Sequence, residues 1–89
     1  MAEVLDETGR PVRVTVLVRA QCRTCDRMED VVRAVCAELG VGWERVDIAD
    51  ADAELRGEFG DIVPVTLVDG EEHASWSVDP GALRTALSS

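Results

Sequence analysis

Lysine, asparagine and tyrosine are missing from this 89-residue sequence, and all nine of its basic residues are arginine. We attach no function to that bias, which is typical of a GC-rich coding sequence. Basic charge as a whole is scarce, because 18 acidic residues oppose the nine arginines and give a formal net charge of -9. Nucleic-acid binding depends largely on neutralising phosphates with Lys and Arg. The composition therefore predicts that the protein does not bind nucleic acid.

Long hydrophobic runs and low-complexity segments are absent as well. The apolar stretch that ends at Val18 is far too short to span a bilayer, and residues 1–10 carry acids where a secretory signal carries positive charge. We therefore expect a cytoplasmic protein without a membrane partner. With 46% hydrophobic and 30% charged residues, the composition is typical of one globular domain. We place that domain at residues 11–89, after a poorly ordered lead-in at residues 1–10.

Metal ligands are scarce, because the sequence has three cysteines and a single histidine, His73. Structural zinc normally takes four Cys or His ligands. Cys36 lies 11 residues beyond Cys25, which is about 16 Å along a helix and too far for the two to share a metal ion. We therefore predict no metal site within one chain, with a metal or iron-sulfur cluster shared between two chains as an alternative. We interpret His73 as a surface or sheet-flank residue.

The apolar periodicity predicts strands and helices in the order βαβαββα. Strands are indicated by β-branched runs and alternation, and helices by apolar residues at i, i+3, i+4 and i+7. The first strand, helix and second strand form a βαβ unit with parallel strands, whereas Asp69-Gly70 suits the tight turn of an antiparallel hairpin. Asp50 or Asp52 is expected to cap the second helix, and Asp79 the third. The predicted strands cover residues 11–18, 43–48, 65–68 and 71–76, and the predicted helices include residues 28–39, about 52–59 and 80–87.

Two of the cysteines, Cys22 and Cys25, form a Cys-x-x-Cys motif where the first strand passes into the first helix. This position places the first sulfur near the unpaired backbone N–H groups and the positive end of the helix dipole. Arg23 lies beside Cys22, and its charge also favours a thiolate, the form that attacks disulfides. Asp26 has the opposite effect on Cys25. We therefore predict that Cys22 is the exposed nucleophile and Cys25 the resolving thiol.

A purely structural interpretation of the cysteines competes with this one. Reduced cysteine is a common core residue, so the pair could instead be two small side chains packed at a helix start. For Cys36 the structural interpretation is the one we adopt, because this residue shares a helix face with Met28 and Val32.

Pro64 is the other informative residue, since it directly precedes the apolar strand at residues 65–68. Proline cannot donate to a sheet ladder, so it marks the first residue of that strand or a special turn. Spacing alone favours a trans Val63-Pro64 bond, although a cis bond is far less costly before proline than elsewhere.

The Cys-x-x-Cys motif after the first strand, the βα return, Val63-Pro64 and the closing hairpin and helix together resemble the thioredoxin fold. The short form, without an added N-terminal βα unit, is similar to glutaredoxins, and the resemblance spans Val12 to Leu87. It implies an α/β three-layer sandwich with a four-stranded mixed sheet in the order βαβαββα. It also implies thiol-disulfide oxidoreductase activity.

The resemblance implies roles for individual residues. In glutaredoxins the valine-proline bond is cis and the valine backbone pairs with an extended stretch of the bound thiol, so Val63 and Pro64 are candidate substrate contacts. A basic residue three positions before the first cysteine commonly binds a glutathione carboxylate, and Arg19 occupies that position. Arg23 is a further candidate for binding substrate.

The sequence departs from the glutaredoxin pattern at two places. Arg23-Thr24 stands between the cysteines, where Pro-Tyr or a close variant is usual, and Ser75-Trp76 stands where glutaredoxins carry a Gly-Gly pair. Of the aspartates that hold the γ-glutamyl end of glutathione in that family, Asp79 alone is present. A bulky Trp76 would block glutathione or stack on a different thiol.

We therefore expect a monomeric cytoplasmic oxidoreductase that reduces disulfide-bearing proteins or small mixed disulfides and holds no bound cofactor. Its electrons would come from glutathione or another low-molecular-weight thiol such as mycothiol. Cys22 would attack the substrate sulfur, and Cys25 would release the product. The alternative from another class is a thioredoxin-fold binding module that holds an iron-sulfur cluster or metal between two subunits without redox turnover.

Overall fold

Four strands form one sheet in the computed structural model, which describes residues 5, 6 and 9–88. The order of its main elements is the βαβαββα order that the sequence predicts. A short 3-10 turn, which the sequence pattern did not indicate, precedes the second helix. The elements are β1 (Val12–Val18), α1 (Arg23–Leu39), β2 (Gly42–Asp47), the 3-10 turn (Ile48–Asp50), α2 (Ala53–Phe59), β3 (Val65–Val68), β4 (Glu71–Ser75) and α3 (Pro80–Ser88).

The strands lie in the order β2-β1-β3-β4, with β1 parallel to β2 and antiparallel to β3. β4 returns antiparallel to β3 through a tight turn in which Asp69 (φ 52°) and Gly70 (φ 86°) are both left-handed, as a type I′ turn requires. This mixed sheet confirms the predicted α/β fold class. Because β1, β2 and β4 run in the same direction, their carboxyl ends meet at one edge of the sheet, which we call the carboxyl edge.

Apolar side chains cover both faces of the sheet. On one face, β1 packs with α1 and α3 in a cluster whose fully buried members include Val16, Val32 and Leu83. On the other face, Leu17 of β1 packs with Phe59 of α2 in a smaller cluster. Neighbouring residues of β1 therefore point into different clusters, which explains why the strand is a nearly continuous run of valine and leucine. The fold has the three predicted layers.

Local signals fix the helix ends where the sequence predicts them. Gly40 ends α1 in the left-handed conformation (φ 70°), which glycine adopts without steric cost. Asp52 caps α2 by accepting a hydrogen bond from Leu55 N–H at 2.9 Å. Asp79 caps α3 by accepting a hydrogen bond from Ala82 N–H at 2.8 Å. The cap of α3 places the start of this helix at the carboxyl edge.

Part of the predicted lead-in lies outside the described residues. Within the described part, Leu5 pairs with Pro11 in an isolated antiparallel bridge. The Asp6 carboxylate accepts a hydrogen bond from Arg10 N–H at 3.1 Å. These contacts hold the described part of the segment against the start of β1, at the end of the sheet opposite the carboxyl edge.

Candidate active site

The two cysteines of the motif lie at the carboxyl edge, where β1 passes into α1. Cys22 is the N-cap of α1, with an extended backbone (φ -118°, ψ 109°), and its Sγ accepts a hydrogen bond from Cys25 N–H at 3.1 Å. The sulfur thus takes the place that a Ser, Thr, Asp or Asn oxygen usually fills. The backbone N–H donor and the helix dipole both favour negative charge on this atom.

Cys22 and Cys25 are joined by a disulfide, with their Cα atoms 5.2 Å apart. Cys25 is 2% exposed and belongs to the apolar cluster beneath α1, whereas Cys22 is only partly buried. The two sulfurs therefore differ in access, and an incoming disulfide meets Cys22 first. The bond favours a reactive pair over the alternative in which two small cysteines merely fill the core.

Val63 and Pro64 lie at the carboxyl edge, directly before β3. β1 and β3 pair so that Leu17 faces Val65, and continuing this register places Pro64 opposite the last residue of β1. The Val63-Pro64 peptide bond is cis. No hydrogen bond joins the Val63 N–H or C=O to another described residue. These main-chain groups are unpaired among the described residues, and Val63 as a whole is only 2% exposed.

Arg19 and Arg23 are both exposed at the carboxyl edge. Arg19 directly follows β1, and Arg23 is the first residue of α1. The four salt bridges among the described residues use other arginines. Within the described part of the chain neither guanidinium group therefore has a carboxylate partner in a salt bridge, and both place positive charge at the carboxyl edge of a chain whose net charge is -9.

Asp79 lies at the same edge, because β4 ends there and α3 begins. Its Oδ2 accepts the hydrogen bond from Ala82 N–H, and its backbone carbonyl accepts one from Leu83 N–H at 3.0 Å. Capping α3 accounts for this carboxylate without a ligand. Its role in binding a thiol stays a prediction.

Trp76 is the site residue whose position the sequence alone did not fix. Its N–H donates to the Pro64 carbonyl at 2.8 Å, so the residue lies directly beside Pro64 at the carboxyl edge. Its backbone is left-handed (φ 70°), and β4 ends one residue earlier than predicted, at Ser75. The sequence carried one signal for this backbone conformation. Tryptophan stands here where glutaredoxins have glycine, and glycine is the residue that adopts positive φ without strain.

Cys36 is a core residue, as predicted. It is a free cysteine, 1% exposed, in the apolar cluster beneath α1. Burial is the main reason that its pKa is raised to about 11, and the negative charge of Asp6 adds to the effect. Near neutral pH Cys36 is therefore a protonated thiol and a poor nucleophile.

The raised pKa of Cys36 predicts a loss of stability in alkali. Its unperturbed value is 9.0, so between pH 9 and pH 11 the unfolded chain releases this proton while the folded chain keeps it. The contribution of the buried Cys36 thiol to the free energy of unfolding is therefore complete below pH 9. The free energy of unfolding falls by about 2 kcal/mol as the pH rises to 11. Urea unfolding of the oxidised protein at both pH values measures the change, and the absence of lysine and tyrosine removes the usual competing titrations. Cys36→Ala should lose markedly less free energy of unfolding between pH 9 and pH 11 than the wild-type protein. Equal losses in the two proteins would contradict the prediction.

Metal-binding side chains are dispersed over the described part of the chain. No group of three or more His, Cys, Asp or Glu side chains there could hold a metal ion. His73 is half-buried on β4, an outer strand of the sheet, which agrees with the predicted sheet-flank position. Among the described residues no helix is long and apolar enough to cross a bilayer.

Sequence comparison identifies relatives over nearly the whole chain. A family model described as a glutaredoxin-like domain (DUF836) matches residues 13–88, a span that includes the complete carboxyl edge. Uncharacterized proteins from Mycobacterium bovis and Mycobacterium tuberculosis are 37% identical over 83 residues, which cover 89% of this chain and 84% of theirs.

Solved structures with a similar fold include a structural-genomics target protein from X. campestris. It is 28% identical, with a TM-score of 0.64, and the match covers 84% of this chain and 95% of that one. A thioredoxin from Halobacterium salinarum is 21% identical with a TM-score of 0.57, over 92% of this chain and 82% of that one. A glutaredoxin from Methanosarcina mazei is 13% identical with a TM-score of 0.55, and the match covers 97% of this chain and 98% of that one. The latter two show the shared fold alone.

Proposed function

Because this chain belongs to the glutaredoxin-like domain family (DUF836), we propose that it is a thiol-disulfide oxidoreductase that works through the Cys22-Cys25 dithiol. The observation that carries the proposal is the disulfide between an accessible N-cap cysteine and a buried cysteine one turn further along α1. The protein acts in the cytoplasm as a monomer and reduces protein disulfides or small mixed disulfides.

The reaction begins from the reduced dithiol. The Cys22 thiolate attacks one sulfur of the substrate disulfide, an S–S bond forms between them, and the other substrate sulfur leaves as a thiolate. The Cys25 sulfur then attacks Cys22 Sγ as its proton passes to the departing substrate thiolate. The substrate gains two electrons from the protein, one proton from Cys25 and, at the thiolate that left first, one proton from water, and the protein is left with the Cys22-Cys25 disulfide.

The carboxyl edge supplies the groups that would hold the substrate during the first step. The unpaired N–H and C=O of Val63 suit hydrogen bonds to an extended chain, and buried Pro64 forms the floor beside them. Arg19 and Arg23, both exposed at this edge, would bind a carboxylate of the substrate. Two molecules of a thiol donor, glutathione or another low-molecular-weight thiol such as mycothiol, return the dithiol to its reduced form.

Covalent trapping with Cys25→Ser tests this function. Without the resolving thiol, the reaction should stop at a mixed disulfide between Cys22 and the substrate, which intact mass detects as an adduct of one substrate half. A peptide disulfide is a suitable probe, and the position of the adduct follows from peptide mapping. The wild-type protein should release both substrate thiols and accumulate no adduct. An adduct on Cys36, or none on any cysteine, would contradict the proposed mechanism.

The donor is tested separately with the oxidised wild-type protein. Glutathione and mycothiol are offered at equal concentration, and the return of the Cys22-Cys25 dithiol is followed by alkylation and mass. The faster thiol is the better donor. Failure of both thiols, together with reduction by a protein dithiol, would overturn the assignment of a low-molecular-weight donor and leave the disulfide-reductase activity intact.

A further inference from the structure

We propose that the buried Thr66 hydroxyl is the hydrogen-bond partner of the Cys25 thiol in the reduced protein and shifts the redox equilibrium of the cysteine pair towards the dithiol. The proposal rests on the proposed function, because it concerns the same dithiol, and it names a residue that tunes this dithiol. Three features of Thr66 support it: the lack of a partner for its hydroxyl in the disulfide form, the sheet face on which it lies, and its depth below the carboxyl edge.

The Thr66 hydroxyl is an exception in the protein core. Thr66 is 0% exposed, and its Oγ1 is the one buried side-chain polar atom that lacks a hydrogen-bond partner among the described residues. Leaving a buried hydroxyl unpaired costs free energy, and native structures rarely do so. Valine has nearly the same shape, also favours strands and would avoid this cost. The hydroxyl at this position therefore needs a reason that the disulfide form does not supply.

Strand pairing places Thr66 on the sheet face that α1 covers. Thr66 lies opposite Val16 of β1 and opposite Ala74 of β4, and residues directly opposite each other in an antiparallel pair project to the same face. Val16 belongs to the apolar cluster that contains Cys25, and Ala74 packs against this cluster. The neighbours of Thr66 along β3 belong to the cluster on the other face. The Thr66 side chain therefore points into the cluster beneath α1.

Two buried cysteines belong to that cluster, and their depth below the carboxyl edge separates them. Thr66 is two residues along β3 from Pro64, which is about 7 Å below the edge at the rise of an antiparallel strand. Along α1, Cys25 lies three residues beyond Cys22, about 5 Å below the same edge, and Cys36 lies 14 residues beyond it, about 21 Å below. Thr66 thus lies near the level of Cys25 and far from that of Cys36.

The chemistry of the pair accounts for a hydroxyl without a partner in the disulfide form. In the disulfide, Cys25 has no S–H group and its sulfur is bonded to Cys22. Reduction by a dithiol transfers two electrons and two protons to the protein, breaks the S–S bond and returns an S–H group to Cys25, while the donor becomes a disulfide. This thiol can donate a hydrogen bond to Thr66 Oγ1 or accept one from it. A hydrogen bond made only in the reduced form favours that form, because an interaction shifts an equilibrium only by its difference between the two states.

The experiment is the redox equilibrium of the full-length protein with reduced and oxidised dithiothreitol at neutral pH, measured by alkylation and intact mass. Thr66→Val removes the hydroxyl but keeps the shape, and its disulfide should be favoured about tenfold more than that of the wild type, a change of about -30 mV in reduction potential. Thr66→Ser keeps the hydroxyl and should stay within about threefold of the wild type. The thermal midpoint of oxidised Thr66→Val should not fall, because the group that it loses is a buried, unpaired hydroxyl.

Two controls assign the effect to Cys25. Thr15→Val makes the same exchange on the other face of the sheet, where Thr15 lies opposite Leu67, and should leave the redox equilibrium within about twofold of the wild type. In a Cys36→Ala background, Thr66→Val should keep its shift of about tenfold. Loss of the shift in that background would assign the hydroxyl to Cys36 and overturn the proposal.

Failure of this inference and failure of the proposed function give different results. If the wild-type protein reduces a peptide disulfide but Thr66→Val has a redox equilibrium within about twofold of the wild type, or one shifted towards the dithiol, the function stands and the role of Thr66 is overturned. Equal shifts in Thr66→Val and Thr66→Ser would also overturn it, because the hydroxyl would then not be the cause. If the wild-type disulfide does not open in any dithiothreitol buffer and the protein reduces no substrate, both the function and the inference fail.

Discussion

Replacement of Cys22 by serine is expected to lower the rate of disulfide reduction by more than about a thousandfold. Serine is a preferred N-cap residue, so its hydroxyl can accept the hydrogen bond that Cys25 N–H gives to the Cys22 sulfur. The start of α1 should therefore stay folded. The hydroxyl is not ionised at neutral pH and cannot form a disulfide, so the first bond-forming step is lost.

The measurement for this variant is the single-turnover rate with a peptide disulfide, together with the thermal midpoint to show that the protein is folded. Cys36→Ala is the matched control, because it also removes one cysteine sulfur but takes away a buried, protonated thiol. Below its unfolding transition this control should keep its activity. Turnover by Cys22→Ser within tenfold of the wild-type rate would contradict the assignment of the nucleophile.

Replacement of Leu83 by alanine is expected to cost the second large effect, about 3 kcal/mol of the free energy of unfolding. The Leu83 side chain is fully buried where α3 joins the cluster that contains α1 and Cys25. Deleting it removes apolar contacts and leaves a cavity. A chain of this length has a total stability of roughly 5–13 kcal/mol, so the change removes a large share of it.

Urea unfolding of the oxidised Leu83→Ala protein gives the free energy directly. Leu39→Ala is its control, since the same group is removed from a side chain that is 37% exposed at the end of α1, and its cost should stay below about 1 kcal/mol. Equal losses in the two variants would show that α3 does not seal the core as described. The comparison thereby tests the layer that covers the buried cysteine.

The architecture could be predicted from local signals that act independently of the rest of the fold. The apolar run of β1, the helical spacing up to Gly40, the Asp69-Gly70 turn and the Asp79-Pro80 cap each determine one element. Short connections between such elements leave few arrangements. The strand order β2-β1-β3-β4 was not among the predictions, because these signals allow the hairpin to pair with β2 as well as with β1. The 3-10 turn before α2 was missed because it depends on a single cap by Asp47.

The candidate site could be predicted only in part. The spacing of Cys22 and Cys25 indicated a dithiol at a helix start, but the sulfur's capping bond to Cys25 N–H depends on the fold. The position of Trp76 depends on a γ-turn and on pairing with Pro64, which is far from it in sequence. The alternating pattern predicted that the last strand continues through residue 76. Alternation alone does not show that a bulky residue there adopts positive φ and ends the strand.

A redox titration of the purified protein tests the central claim most directly. The protein is equilibrated in dithiothreitol and glutathione buffers, quenched in acid, alkylated under denaturing conditions and analysed by intact mass and peptide mapping. A reactive dithiol predicts that the Cys22-Cys25 disulfide closes and opens reversibly between about -200 and -300 mV while Cys36 stays reduced. If no disulfide closes between Cys22 and Cys25, or if only a stable adduct forms on Cys22, the dithiol mechanism is wrong.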